Sequence, residues 1–146
     1  MAEPTATITF VVMPAIVSGL VIGIYEAILL HRDVTIPTHR LGHTVHALVF
    51  AVIFTFVSMN TQWVATTFNL ASIHYLLANK WVLRAVVGLI AVAKIHGASA
   101  AIRGSGTNAI GLKETWAHSL LIGILIIVAP EIWPLLAGSL PGWMQK

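Results

Sequence analysis

Cysteine is absent from the chain. Its absence removes disulfides, thiolate metal sites, iron–sulfur clusters and covalently attached c-type haem from consideration. Charge is nearly as scarce. Asp, Glu, Lys and Arg make up 9% of the residues, against about 25% in an ordinary soluble domain. So few charges leave too little polar surface to face water on all sides. Recognisable catalytic motifs are missing too: there is no nucleophilic triad and no zinc-protease motif. The one glycine-rich turn, Gly104-Ser105-Gly106, is too short for a phosphate loop and lacks the lysine that should follow it.

What is present is hydrophobic. Of 146 residues, 58% are apolar, and the mean hydropathy is +0.89. This composition predicts an all-α integral membrane protein, a four-helix bundle forming one transmembrane domain over residues 1–146. The length suits four helices and short loops, with nothing left for a soluble domain. The net charge of +3 is small. Its basic residues lie near expected membrane edges, so the pI of 9.7 reads as a topology signal and does not point to a nucleic-acid partner. Met1-Ala2-Glu3-Pro4 carries an acid and no positive n-region, so the first apolar run is expected to be a retained span and not a signal peptide.

The expected spans are residues 8–30, 41–63, 81–102 and 114–136. Residues 4–25 carry no charge, about enough to cross ~30 Å of hydrocarbon. Residues 41–79 also lack Asp, Glu, Lys and Arg, too long a run for one span and too short for two plus a loop. The excess over residues 64–77 is expected to form a short interfacial or re-entrant helix, with His74 capping or anchoring it. Pro130 is expected to kink the fourth span or end its regular part. Arg32, Arg40, Arg103 and Lys113 follow spans one and three. The positive-inside rule therefore predicts a multi-pass cell-membrane protein with both termini outside.

Four charges fall well inside these spans: Glu26, Arg84, Lys94 and Glu131. An isolated intramembrane charge is costly, so depth suggests structural ion pairs of Glu26 with Lys94 and Arg84 with Glu131. The opposing reading is that each side chain snorkels to its nearest interface. Ala15, Gly19 and Gly23, and again Ala93, Gly97 and Ala101, recur at spacing four, a pattern that lets helix backbones approach closely in lipid.

The threading also gathers His31, His39, His43, His46, His96 and His118 at one end. His39, His43 and His46 share one helical face. Three readings remain open. His39, His43 and His46 offer imidazole ligands for copper, zinc or iron. His46 with His96 or His118 offers axial ligands for haem b, with Gly97 leaving room beside the ring. The third reading is a polar interface that needs no cofactor. A proton or small-solute pathway is conceivable, but the outer half offers only a thin relay of Asn60, Gln62 and Glu131.

The local strings carry a resemblance. Pro14-Ala15-Ile16-Val17, Gly19 through Ile24, Tyr25-Glu26-Ala27-Ile28-Leu29-Leu30-His31-Arg32-Asp33, Pro37-Thr38-His39-Arg40 and His43 resemble small four-span membrane proteins of ammonia-oxidising archaea. Lys94-Ile95-His96, Glu114-Thr115-Trp116-Ala117-His118-Ser119-Leu120 and Ala129-Pro130 extend the likeness over most of the chain. The resemblance implies an accessory subunit of archaeal ammonia monooxygenase, a copper membrane monooxygenase. It implies a noncatalytic role, core subunits of the complex and membrane lipids as partners, and copper held by those other subunits. No copper ligand of the family maps onto this sequence.

Overall fold

The computed structural model describes residues 10–33, 40–104 and 116–145, without the side chains of residues 30–33, 40, 41, 43 and 98–104. Four long helices carry the fold: α1 (Met13–Asp33), α2 (Arg40–Met59), α5 (Lys80–Gly104) and α6 (Trp116–Ala137). Two short ones, α3 (Thr61–Thr67) and α4 (Leu70–Ile73), lie between α2 and α5, followed by a 3-10 turn over Tyr75–Ala78. A second 3-10 turn, Gly142–Met144, follows α6. No strand occurs among the described residues.

The long helices pack antiparallel in chain order. α1 lies against α2, α5 against α6, and α2 also touches α5 and α6, while α1 closes the arrangement against α6. α1 and α5 thus occupy opposite corners. The core contains Ile22, Ala51, Val87, Ala91, Ile95, Ile122 and Ile126.

Glycine sets the closest approaches. A Cβ added at Gly19 would stand 2.5 Å from the Val52 Cα, and one at Gly23 would stand 2.9 Å from the Leu48 Cα. The Ala15–Gly19–Gly23 stripe is therefore the seam along which α1 meets the α2 backbone. The second expected stripe behaves differently. Gly97 has nothing within 4 Å of an added Cβ, Ala93 is exposed, and the side chain of Ala101 lies outside the described residues. The α5–α6 seam instead uses Gly88 and Gly123, where a Cβ would meet Ile127 Cδ1 and Val92 Cγ2, each at 2.5 Å.

α2 ends at Met59, short of residue 63, because Asn60 diverts the chain. Its Nδ2 donates to the Phe56 carbonyl at 2.9 Å and to the Val11 carbonyl at 2.8 Å. Its Oδ1 accepts from the Val11 N–H at 2.7 Å. α3 then leaves at 80° to residues 44–59. Phe10 packs edge-on against Phe56 and Trp63, with centroids at 5.4 and 5.2 Å, so the segment before α1 is fastened to the same corner. Asn69, at φ 47°, takes the left-handed conformation that turns the chain into α4, a region asparagine tolerates better than most residues. His74 caps the following 3-10 turn, its Nδ1 accepting from the Leu76 N–H at 3.3 Å.

Asn60 is 2% exposed and holds the segment before α1 at Val11, the α2 terminus and the α3 turn together. Asn60→Ala removes all three of its side-chain hydrogen bonds. A loss of about 2–3 kcal/mol is expected at roughly 1 kcal/mol per bond, measurable as a lower thermal midpoint with released N-terminal residues.

α6 is the one described helix long and apolar enough by itself to cross a membrane; residues 44–59 and 61–67 meet the same criterion only when joined.

Candidate functional site

Each end of the bundle gathers polar side chains. At one end, antiparallel packing of α2 on α5 brings His46 to Lys94. Lys94 Nζ lies 2.9 Å from His46 Nε2 and 4.3 Å from the centre of the Phe50 ring. An ammonium has only protons to donate, so Nε2 accepts and the His46 proton resides on Nδ1. Among the described residues no ion pair joins Glu26 to Lys94. The two residues stand on α1 and α5, at opposite corners, and the ammonium takes its acceptor from the adjacent helix. Glu26 itself is buried within the bundle.

Two further histidines of this end lie on α5 and α6. The His96 ring stacks on Trp116 at 3.8 Å and 21°, and its Nδ1 is buried with no partner among the described residues. His118 is buried at the start of α6. Of the candidate metal set, His39 and the side chain of His43 lie outside the described residues, which leaves His46. Among the described residues no group of three His, Cys, Asp or Glu side chains is placed to hold a metal ion. In the haem reading, the Nε2 that His46 would offer to iron is engaged by Lys94, and one face of His96 is covered by Trp116. His31 belongs to this end by position in α1, but its side chain is outside the described residues.

At the other end the α5–α6 pairing joins Arg84 to Glu131. Arg84 Nη1 donates to Glu131 Oε1 at 2.6 Å, and Arg84 Nε donates to the Ser58 carbonyl at 3.1 Å. That carbonyl lies in the last turn of α2, where helical donors run out. The guanidinium also sits 5.1 Å from the centre of the Trp81 ring. Arg84 is 7% exposed; the Glu131 side chain is 43% exposed and reaches the bundle edge.

Ser58 completes this arrangement. Pro130 has no N–H, so the carbonyl four residues earlier, Ile126, loses its helical donor. Ser58 Oγ donates to the Ile126 carbonyl at 2.7 Å in its place. With that carbonyl satisfied, α6 continues through Pro130 and Pro134 to Ala137 and does not end at the proline. The role of Ser58 was hidden in the sequence, although the signal existed: a proline in a span frees one specified carbonyl, and a hydroxyl at matching depth on a facing helix is its natural donor.

Beside this cluster, α3, α4 and the start of α5 enclose an open cleft of about 800 Å³. Asn60, Gln62, Trp63, Asn69, Lys80 and Arg84 are among the residues lining it. Lys80 lies 5.5 Å from the centre of the Trp81 ring.

The fold and its sites define an all-helical bundle with polar side chains sealed between its helices. No family model, curated protein or solved structure matches the chain.

Proposed function

We propose that the chain crosses the cell membrane four times, with both termini outside, as a noncatalytic accessory subunit of a larger membrane enzyme. The observation that carries this reading is the apolar exterior of the bundle, with charged and polar side chains sealed inside beside an apolar core. Its outward stripes are apolar: Leu20, Ile24 and Ile28 on α1, and Val45, Val49 and Ile53 on α2, are all exposed at helical spacing. Its interior holds Glu26, Thr55, Ser58, Arg84, His118 and Ser119. A soluble bundle turns its polar and charged faces outward and does not present apolar stripes at this spacing to water. Large contiguous apolar exteriors mark contact with lipid or with partner subunits.

The helix lengths agree. α1, α2, α5 and α6 contain 21, 20, 25 and 22 residues, and at about 1.5 Å per residue each covers ~30 Å or more. α5 is the least apolar, but its intramembrane charges are answered inside the bundle: Arg84 by Glu131 and the Ser58 carbonyl, Lys94 by His46 and Phe50. Intramembrane charges that persist are expected to be partnered in this way.

The noncatalytic reading rests on the histidine end. There Lys94 engages the exposed nitrogen of His46 and Trp116 stacks on His96, contacts suited to holding helices together or to docking another subunit. The particular complex, archaeal ammonia monooxygenase, is supported by the resemblance of the two halves of the chain, with copper chemistry assigned to the core subunits.

The test is gentle solubilisation of native membranes followed by isolation of this chain. Copurification with copper-monooxygenase core subunits is the expected result. Migration as a lone homo-oligomer would contradict the subunit reading.

A further inference from the structure

The cleft beside α3 is lined by cationic groups with unspent donors. A guanidinium has five N–H groups. Arg84 commits two, to the Ser58 carbonyl and to Glu131, and its Nη2 meets no protein acceptor among the described residues. Lys80 rests against the Trp81 ring with no hydrogen-bond acceptor among the described residues. Neither Asp nor Glu is among the described residues lining the cleft. Against these two cations stands Glu131, so one positive charge is left over at the site. Gln62 and Asn69 add neutral amides to the wall.

We propose that this cleft binds the phosphate-bearing headgroup of an anionic membrane lipid, held by Lys80 and Arg84. Phosphate suits the site because its oxygens accept from several cationic N–H donors at once. The volume of about 800 Å³ is that of a small-molecule pocket, for which roughly 300–1,000 Å³ is usual. A lipid fits better than free phosphate because the site is amphipathic. Val11, Ala71 and Leu83 line it alongside the polar groups. The segment forming one wall exposes Phe68, Ile73 and Tyr75, as an element lying along a bilayer boundary does. Asn79 Oδ1 already accepts from the Trp81 and Val82 N–H groups, so the ligand is recognised by side chains and not by the helix terminus. The proposal rests on the membrane-spanning reading above.

The test uses the full chain, purified in dodecyl maltoside. Its thermal midpoint and retained lipid are measured with phosphatidylglycerol, with phosphatidylcholine of the same acyl chains, and with inorganic phosphate. Phosphatidylglycerol is expected to raise the midpoint and to remain bound in native mass spectrometry. Phosphatidylcholine and inorganic phosphate are expected to do neither. Lys80→Gln weakens phosphatidylglycerol binding about five- to tenfold, the scale of one lost ionic hydrogen bond. Arg84→Lys, which keeps the charge facing Glu131 and removes the fork, lowers it as well. Lys94→Gln makes the same charge change at the opposite end and leaves binding unchanged. Equal protection by phosphatidylcholine, protection by inorganic phosphate alone, or a Lys80→Gln variant with undiminished affinity would each overturn the proposal. Alkaline extraction of native membranes is the separate check on the premise: release of the chain into the supernatant sinks the membrane reading itself, whatever the lipid result.

Discussion

Gly19→Leu is expected to be the most damaging single substitution in the chain. The Cβ alone would stand 2.5 Å from the Val52 Cα, a distance that side-chain movement cannot relieve because the opposing atom is backbone. The α1 and α2 axes must separate, and the contacts along the Ala15–Gly19–Gly23 seam are lost with them. Overpacking of this kind costs about 3 kcal/mol or more when the backbone is the obstacle. Gly42→Leu and Gly97→Leu are the controls, since an added Cβ at either meets nothing within 4 Å. Both should leave the thermal midpoint in detergent nearly unchanged, while Gly19→Leu should abolish a cooperative transition. A Gly19→Leu protein that melts with the parent would refute the close α1–α2 seam.

The second large effect is non-additive. Glu131→Gln leaves the buried Arg84 guanidinium without its counter-charge. Breaking a fully buried pair costs about 3–5 kcal/mol. Because the Glu131 side chain is 43% exposed, about 2 kcal/mol is expected here after allowing for solvent screening. Adding Arg84→Met to that variant removes the stranded charge, so the double variant should be more stable than the sum of its parts, with a coupling of about 1–2 kcal/mol. Strict additivity in reversible unfolding would show that the two side chains do not act as a pair. Ser58 belongs to the same cluster. Ser58→Ala leaves the Ile126 carbonyl without its donor and should bend α6 at Pro130, seen as a changed interhelical distance between spin labels on α2 and α6.

Much of this architecture was readable from the residues alone. The four apolar blocks became four long helices, and the charge-free excess over residues 64–77 became the short helices after the 80° bend. Position along the apolar blocks matched Arg84 with Glu131 because α5 and α6 are neighbours. The same reasoning failed for Glu26 and Lys94. Depth is a one-dimensional coordinate, and it does not reveal which helices share a diagonal. The small-residue pattern had the same weakness: spacing located one true seam at Gly19 and Gly23, while the α5–α6 seam runs through Gly88 and Gly123, which lie outside the Ala93–Gly97–Ala101 stripe. The end of α2 was misjudged by four residues because Asn60 stops it through bonds to Val11, a contact 49 positions away. Such a contact leaves no local pattern. At the histidine end, the engagement of His46 by Lys94 depended on which corner α5 occupies.

The central claim is that four helices span the bilayer with polar side chains sealed between them. The absence of cysteine makes the chain a clean background for labelling with a membrane-impermeant maleimide in intact cells. Single cysteines at Ser72 and Gln145 test one face, and cysteines at Gly42 and Ala117 test the other; all four positions are exposed. Labelling of Ser72→Cys and Gln145→Cys from outside is predicted, with Gly42→Cys and Ala117→Cys reacting only after the membrane is opened. Labelling of all four from one side, or protection of Ser72→Cys alongside Gly42→Cys, would contradict the four-span account.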